Sequence, residues 1–254
     1  MSRVAVLPLP FWRGVRFVLA REVGATFDST IAYAATIASL VAVNALFMNE
    51  FFLAGKLDMT PFFELVPIVL VLLAPAISMR AWSEDLKTRT FELWMTLPLS
   101  PWQVVLGKYA ANLVLHAIFL IGTLPIVVML YALGSPDLGR IAAGYVGAFF
   151  LGGAFLALGA FFSSLTPDQI TAFLASAFTA FTLLFTGHPR VVAVLDGLAP
   201  KLSIGTFLSD HVSCLPHYDA FVRGSIALPA CLWFMLASFA FLFATTISVQ
   251  KNRT

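Results

Sequence analysis

The densest group of charged side chains in the sequence lies between two apolar stretches. Six charged residues fall within residues 80–92, and they are Arg80, Glu84, Asp85, Lys87, Arg89 and Glu92. Ser83 is predicted to cap a helix with an acidic first turn, and Pro98 is predicted to end it. A helix of this kind either rests on a membrane surface or docks a soluble partner.

A single carboxylate, Glu22, is the second candidate for chemistry. It projects from the apolar half of a predicted helix at residues 11–26, whose opposite half carries three arginines. This pattern predicts a helix that lies in the headgroup plane of a membrane. Glu22 then either tilts towards water at the helix end or pairs with a cation, Arg80 or Lys108.

Polar side chains inside the apolar stretches are fewer. Thr179, Thr182 and Thr186 lie near one face of their stretch, where they line a substrate path or hydrogen-bond to the backbone and neighbouring helices. His116 lies four residues after Asn112 and bonds across helices or relays protons.

The spacing of His211, Cys214 and His217 could hold a soft metal ion. A structural zinc site normally takes four protein ligands, and no fourth ligand is evident nearby. No metal site is therefore predicted, and these residues are interpreted as polar loop positions.

The elements that must position these residues follow from the composition. The chain has 254 residues, of which 60% are hydrophobic and 11% are charged. So few charges could not cover the surface of a water-soluble protein, which excludes a soluble enzyme and a disordered scaffold. The net charge of +2 is too small to indicate nucleic acid or another polyanion as a partner.

The apolar residues predict an all-α integral membrane protein with six transmembrane helices. Five uncharged stretches exceed the roughly 20 residues that cross a bilayer. They are residues 29–49, 109–136, 141–167, 169–189 and 224–250, and a shorter sixth stretch spans residues 65–79. We number the predicted spans 1 to 6 in chain order.

The basic residues predict the orientation. Ten of the 15 lysines and arginines flank one side of the six spans, which places both termini and the 2–3 loop in the cytoplasm. The external segment between spans 5 and 6, residues 189–224, is long enough to dip back into the interface.

Local signals predict helix starts and packing. Ser100 to Gln103 form a capping box with a proline at the first helical position, and Thr166 and Ser135 are predicted to cap in a similar way. Small residues in span 4, including Gly144 and Gly152, form a seam suited to close helix packing.

Several motifs resemble a known family. Residues 75–80 (PAISMR), the acidic pair at 84–85, residues 90–93 (TFEL), Pro98 and residues 105–108 (VLGK) resemble the membrane subunits of ABC type-2 exporters. The branch of gliding-motility and copper-site maturation permeases is the most similar. Residues 217–224 (HYDAFVRG) resemble the stretch before the last helix of that family. Arg89 departs from the pattern, because family members usually have glycine there.

The resemblance implies a single permease domain over residues 1–254, in a bacterial cytoplasmic membrane. Two permeases, as a second copy or a paralogue, would pair and be driven by two cytoplasmic ABC ATPase subunits. An auxiliary extracytoplasmic subunit is also compatible with it. The coupling loop, residues 81–107, would insert a coupling helix into the ATPase, with these contacts: Arg80, Glu84, Asp85, Arg89, Thr90 and Glu92.

The chain itself lacks a P-loop. Neither Gly55-Lys56 nor Gly107-Lys108 has the earlier glycine and the following serine or threonine of that motif. No cofactor is therefore expected on this chain, and ATP with magnesium is expected on the partner ATPase.

Two other function classes stay open at the level of sequence. An intramembrane protease or lipid-modifying enzyme would need a nucleophile, base or metal set that converges at membrane depth. A membrane anchor that recruits a cytoplasmic partner through the 2–3 loop would need neither a path nor a motor. The substrate of an exporter is not identified by the sequence.

Overall fold

The computed structural model describes residues 10–27, 30–90, 94, 97–198 and 203–251, and these residues form helices without strands. Twelve helices lie within the described ranges. In chain order they are α1 (Phe11–Phe27), α2 (Thr30–Ala54), α3 (Thr60–Ser78), α4 (Arg80–Thr88), α5 (Pro101–Gly122), α6 (Leu124–Leu133), α7 (Leu138–Ser163), α8 (Gln169–Phe185), α9 (Pro189–Leu198), α10 (Ile204–His211), α11 (Leu215–Val222) and α12 (Leu228–Lys251).

The prediction of an all-α membrane protein is confirmed. Five helical stretches are long and apolar enough to cross a membrane: Tyr33–Leu53, Thr60–Thr88, Pro101–Leu133, Leu138–Ser163 and Leu228–Lys251. The pair α8 and α9 makes a sixth if its two helices count as one span, but these helices meet at 80°. The fifth span predicted at residues 169–189 corresponds to α8, which ends at Phe185, and α9 lies in the predicted external segment.

The helix after span 2 differs from its prediction. α4 begins at Arg80, directly after α3, so that Ser83 lies inside the helix and does not cap it. Arg89 takes a left-handed conformation (φ 57°, ψ 15°), which ends α4 at Thr88. The predicted continuation towards Pro98 is therefore broken at this residue. Glu92 lies outside the described residues.

α7 occupies the centre of the bundle because small residues let its neighbours approach closely. A Cβ atom built on Gly144 would lie 2.5 Å from the ring of Phe63 in α3. One built on Gly152 would lie 2.2 Å from the ring of His116 in α5. The predicted small-residue seam therefore packs within a single chain.

α1 forms the predicted helix before the first span, and it packs on α5. Val15 and Val18 are buried, while Trp12 and Phe17 on the same helix are exposed. A Cβ built on Gly107 of α5 would lie 2.5 Å from the Cβ of Val18. Glycine at position 107 is thus what lets the two helices touch.

The helix caps were predicted with mixed success. The capping box of α5 is confirmed, since Gln103 N donates to Ser100 Oγ at 3.3 Å and Ser100 N donates to Gln103 Oε1 at 2.7 Å. The caps predicted at Thr166 and Ser135 are wrong. Asp168 and Asp137 hold those positions, because a carboxylate accepts two backbone amides in a charge-assisted way.

Candidate functional site

A buried lysine joins three helices at one end of the bundle. Lys108 Nζ of α5 lies 2.8 Å from Asp85 Oδ2 of α4 and 3.2 Å from Glu22 Oε1 of α1. Only 4% of the lysine side chain is exposed, so that its charge depends on these two carboxylates for compensation. We call this end of the bundle, with Arg80 and Arg21 nearby, the basic end.

Two tryptophans enclose the ammonium group. Lys108 Nζ lies 5.1 Å from the ring centroid of Trp82 and 5.4 Å from that of Trp94, within the range of a cation–π contact. Trp94 Nε1 also donates to Asp85 Oδ2 at 3.1 Å, the same oxygen that faces the lysine. Glu22, Trp82, Asp85, Trp94 and Lys108 are the residues that we call the Lys108 cluster.

The second oxygen of Asp85 holds the turn that follows α4. Thr90 Oγ1 donates to Asp85 Oδ1 at 2.8 Å and shares a hydrogen bond of 2.9 Å with Thr88 Oγ1. Arg89 between these two threonines is exposed. One carboxylate therefore connects an exposed turn to a buried lysine.

The opposite side of α4 is fixed to the end of α7. Ser163 Oγ accepts from the backbone amides of Trp82 and Ser83, each at 3.0 Å, and donates to Met79 O at 2.7 Å. The Ser83 hydroxyl is also buried against Ser163. Because α4 is bound on both sides, it behaves as a rigid extension of α3.

Arg80 and Glu84 form a separate pair on the surface of α4. Arg80 Nη2 lies 2.7 Å from Glu84 Oε2, and Arg80 Nε lies 2.9 Å from the same oxygen. This i,i+4 pair is partly exposed, and such pairs contribute little to stability. Of the two cations predicted for Glu22, Lys108 is the one that pairs with it, while Arg80 pairs with Glu84. Arg21 lies at 3.8 Å from Glu22 as a second, more exposed cation.

A cavity of about 450 Å³ opens beside the cluster, between α1, the end of α3, α4 and α5. Glu22, Asp85 and Lys108 all line it, together with Arg80 and Glu84. Asn112, one turn from Lys108, also lines the cavity, and its buried Nδ2 has no hydrogen-bond partner among the described residues.

The structure thus separates the predicted site residues into groups. Asp85 and Thr90 belong to the network of Lys108, and Glu22 joins them from a distant part of the sequence. Arg80 and Glu84 pair with each other, and Arg89 is exposed. The roles of Trp82, Trp94 and Ser163 were not predicted from the sequence. Tryptophans beside charged residues are a weak sequence signal, and a serine at a helix end gives no signal.

The threonines predicted for a substrate path use their hydroxyls within α8 or at its end. Thr179 Oγ1 donates to Ala175 O at 2.8 Å, and Thr182 Oγ1 donates to Phe178 O at 2.9 Å. Thr186 Oγ1 donates to Leu183 O at 3.3 Å. Backbone bonding was the second interpretation of these residues, and a role in a path stays a prediction.

The remaining polar candidates lie apart from the cluster. His116 is buried in α5, where Nε2 lies 3.2 Å from Ala148 O of α7, so that it bonds across helices. His211 stacks on Phe207, and His217 stacks on Trp233. Cys214 is buried against Leu183 O. Among the described residues, no three His, Cys, Asp or Glu side chains are grouped to hold a metal ion.

The comparison with protein families identifies the class of this chain. The sequence profile of the family described as ABC-2 family transporter protein matches residues 58–245. Since this range is well over half of the chain, the chain belongs to the ABC-2 family of transporter proteins. No individual curated protein matches it significantly. It is a multi-pass membrane subunit of an ABC transporter, a class that works with cytoplasmic ATPase subunits.

Proposed function

We propose that this chain is the permease subunit of an ATP-driven exporter, and that the Lys108 cluster transmits ATPase motion to the transmembrane helices. The exposed turn at Arg89 and Thr90 is the contact with the ATPase, together with Glu84 and Glu92. The basic end faces the cytoplasm of a bacterial cell, and both chain termini lie there. A second permease, as a copy or a paralogue, completes the transporter.

The contact of Lys108 Nζ with Asp85 and Glu22 carries this proposal. Asp85 holds Lys108 with one oxygen and Thr90 with the other. A displacement of the turn is therefore passed to α5 through a single carboxylate. Glu22 extends the same connection to α1, the helix proposed to lie in the headgroup plane.

The energetic cost of separating the buried charges favours transmission of motion through the cluster over local breakage of its contacts. Breaking a buried ion pair by moving one partner leaves the other charge uncompensated, which costs about 3–5 kcal/mol. Asp85 and Lys108 therefore move together more readily than they separate, and Thr90 is joined to them by its hydrogen bond to Asp85. Ser163 fixes the other side of α4, so that the motion also reaches the end of α7.

The charge and exposure of the turn support a polar partner. Lys87, Thr88 and Arg89 are exposed in succession at the end of α4. Three exposed polar residues in a row at the end of a rigid helix form a surface suited to a groove on a soluble protein. The ATPase binds and hydrolyses ATP with magnesium, and the permease supplies no cofactor.

Hydrogen–deuterium exchange of the assembled transporter tests transmission. The permease is purified with its ATPase in nanodiscs, and exchange in residues 11–27 is compared without nucleotide and after trapping with MgATP and vanadate. We expect the trapped state to change exchange in α1 of the natural protein. In Lys108→Met the ATPase still binds and hydrolyses ATP, but the change in α1 is lost.

The matched control is Arg16→Met, which removes an exposed cation from α1 itself and should keep the change. An unaltered response in Lys108→Met would contradict transmission through the cluster. Arg89→Glu separately tests the contact, and we expect it to weaken ATPase binding about tenfold. Binding as tight as that of the natural protein would contradict the role of the turn.

A further inference from the structure

A second cavity lies at the end of the bundle opposite to Lys108. It has a volume of about 330 Å³ and is enclosed by α3, the end of α8 and α11. This volume falls at the lower end of the range for small-molecule sites. None of the residues of the Lys108 cluster lines it.

Most of the wall of this cavity is apolar. Pro67 and Ile68 contribute from α3, Leu184 from α8, and Leu215 and Val222 from α11. Tyr218 also lines it, but the hydroxyl of Tyr218 is engaged, since it donates to Phe63 O at 2.9 Å. The cavity therefore suits a ligand with a substantial apolar body.

The charged groups in the wall are both carboxylates. Glu64 reaches the cavity from α3, and Asp219 reaches it from α11. His188, between α8 and α9, also lines the cavity, while no lysine or arginine is among its lining residues. Burial raises the pKa of Asp219, and Arg223 one turn further on acts in the opposite direction. Glu64 lies exposed in the second turn of α3 and has no ion pair within the described chain, so that its carboxylate is available to a ligand in the cavity.

The end of α8 adds further negative potential. Leu184 and Phe185 are the last two residues of this helix, and both line the cavity. The carboxyl end of a helix carries a partial negative charge and favours cations. Phe185 also contributes an aromatic ring to the wall, and this ring stacks on Phe181 at 4.1 Å and on His188 at 6.2 Å.

From these features we infer that this cavity binds an amphipathic organic cation, with its charged group at Glu64 and Asp219 and its apolar body against α3 and α8. The inference names a substrate class for the proposed exporter and rests on that function. An organic cation fits better than a metal ion, because the described residues include no cluster of three metal ligands.

Binding of tetraphenylphosphonium to the permease alone, in nanodiscs and without ATPase, tests this site. Tetraphenylborate has nearly the same size and shape but the opposite charge, and empty nanodiscs report partition into lipid. We expect saturable binding of the cation above the lipid background and no saturable binding of the anion. Glu64→Gln and Asp219→Asn should each weaken the cation about tenfold.

Two further substitutions of a carboxylate by its amide serve as controls. Glu50→Gln removes an exposed carboxylate from the end of α2, and Asp137→Asn keeps the cap of α7 while removing its charge. Neither should change binding. Thermal unfolding of each variant shows whether it is folded, and the neutral isosteres are expected to unfold like the natural protein.

Binding indistinguishable from empty nanodiscs would overturn the inference. So would equal binding of the borate, or an equal loss in Glu50→Gln and Glu64→Gln. Since no ATPase is present, these outcomes do not bear on the coupling proposal. Conversely, a transporter whose α1 fails to respond to nucleotide would leave the binding result intact.

Discussion

Charged side chains are arranged in opposite ways at the two ends of this bundle. At the basic end, Lys108 is buried between Glu22 and Asp85, so that each charge meets an opposite one. At the other end, Glu64 and Asp219 face a cavity that no lysine or arginine lines, and neither carboxylate forms an ion pair within the described chain. Paired buried charges hold helices in a fixed relation, whereas carboxylates without an ion pair are available to a ligand.

The contrast between the two ends depends most strongly on Lys108. Lys108→Met leaves Asp85 buried without its cation and Glu22 with only Arg21, at 3.8 Å, and we expect it to lower the free energy of unfolding by about 3 kcal/mol. Equilibrium unfolding in mixed micelles measures this. Lys56→Met, an exposed lysine of the opposite end, is the control. Equal stability of the two variants would show that the cluster does not hold the basic end together.

At the opposite end, we expect a neutral hydrogen bond to be the main polar contribution to the free energy of unfolding. Tyr218→Phe removes the bond from the buried hydroxyl to Phe63 O and should cost about 1.5 kcal/mol in the same unfolding assay. Tyr131→Phe, at an exposed tyrosine, provides the reference. A loss as large as that of Lys108→Met would remove the distinction between the two ends.

The turn beside the cluster carries a conformational cost that substitution can relieve. Arg89 has a left-handed backbone, which costs a residue with a side chain about 1 kcal/mol relative to glycine. We expect Arg89→Gly to raise the free energy of unfolding by that amount, whereas Arg89→Ala should give no gain. A gain from alanine would point to the arginine charge and not to the backbone.

The smallest effect is expected for an exposed pair. Arg140 Nη1 lies 3.9 Å from Asp58 Oδ2, and both side chains are more than two-fifths exposed. Arg140→Met should change the free energy of unfolding by less than about 0.5 kcal/mol. A larger change would mean that the opposite end also depends on ion pairs.

Much of the fold could be predicted because its signals are local. Uncharged stretches of sufficient length identify four of the five spans, and the shorter stretch at residues 65–79 identifies the fifth. The capping box at Ser100 needs residues only three apart. The end of the fifth span was predicted at Pro189, close to the observed end of α8 at Phe185, but the 80° angle between α8 and α9 was not predicted. Bends of this kind depend on what packs beside the helix.

The site was less predictable because its contacts are remote in sequence. Glu22, Asp85 and Lys108 come from three helices, and the sequence left two cations open as partners of Glu22. Which cation pairs with Glu22 depends on two contacts. Arg80 pairs with Glu84, and Gly107 lets α1 pack closely on the surface of α5. Neither fact is visible in residue type or spacing alone.

The bend after α8 also has a consequence for the surrounding lipid. The 17 residues of α8 rise about 26 Å, which is shorter than the roughly 30 Å of hydrocarbon in an average bilayer. Even along the membrane normal, α8 alone is a few ångström shorter than the hydrocarbon layer, so the bilayer beside it must thin by about that amount. Lipids with longer acyl chains would enlarge this mismatch.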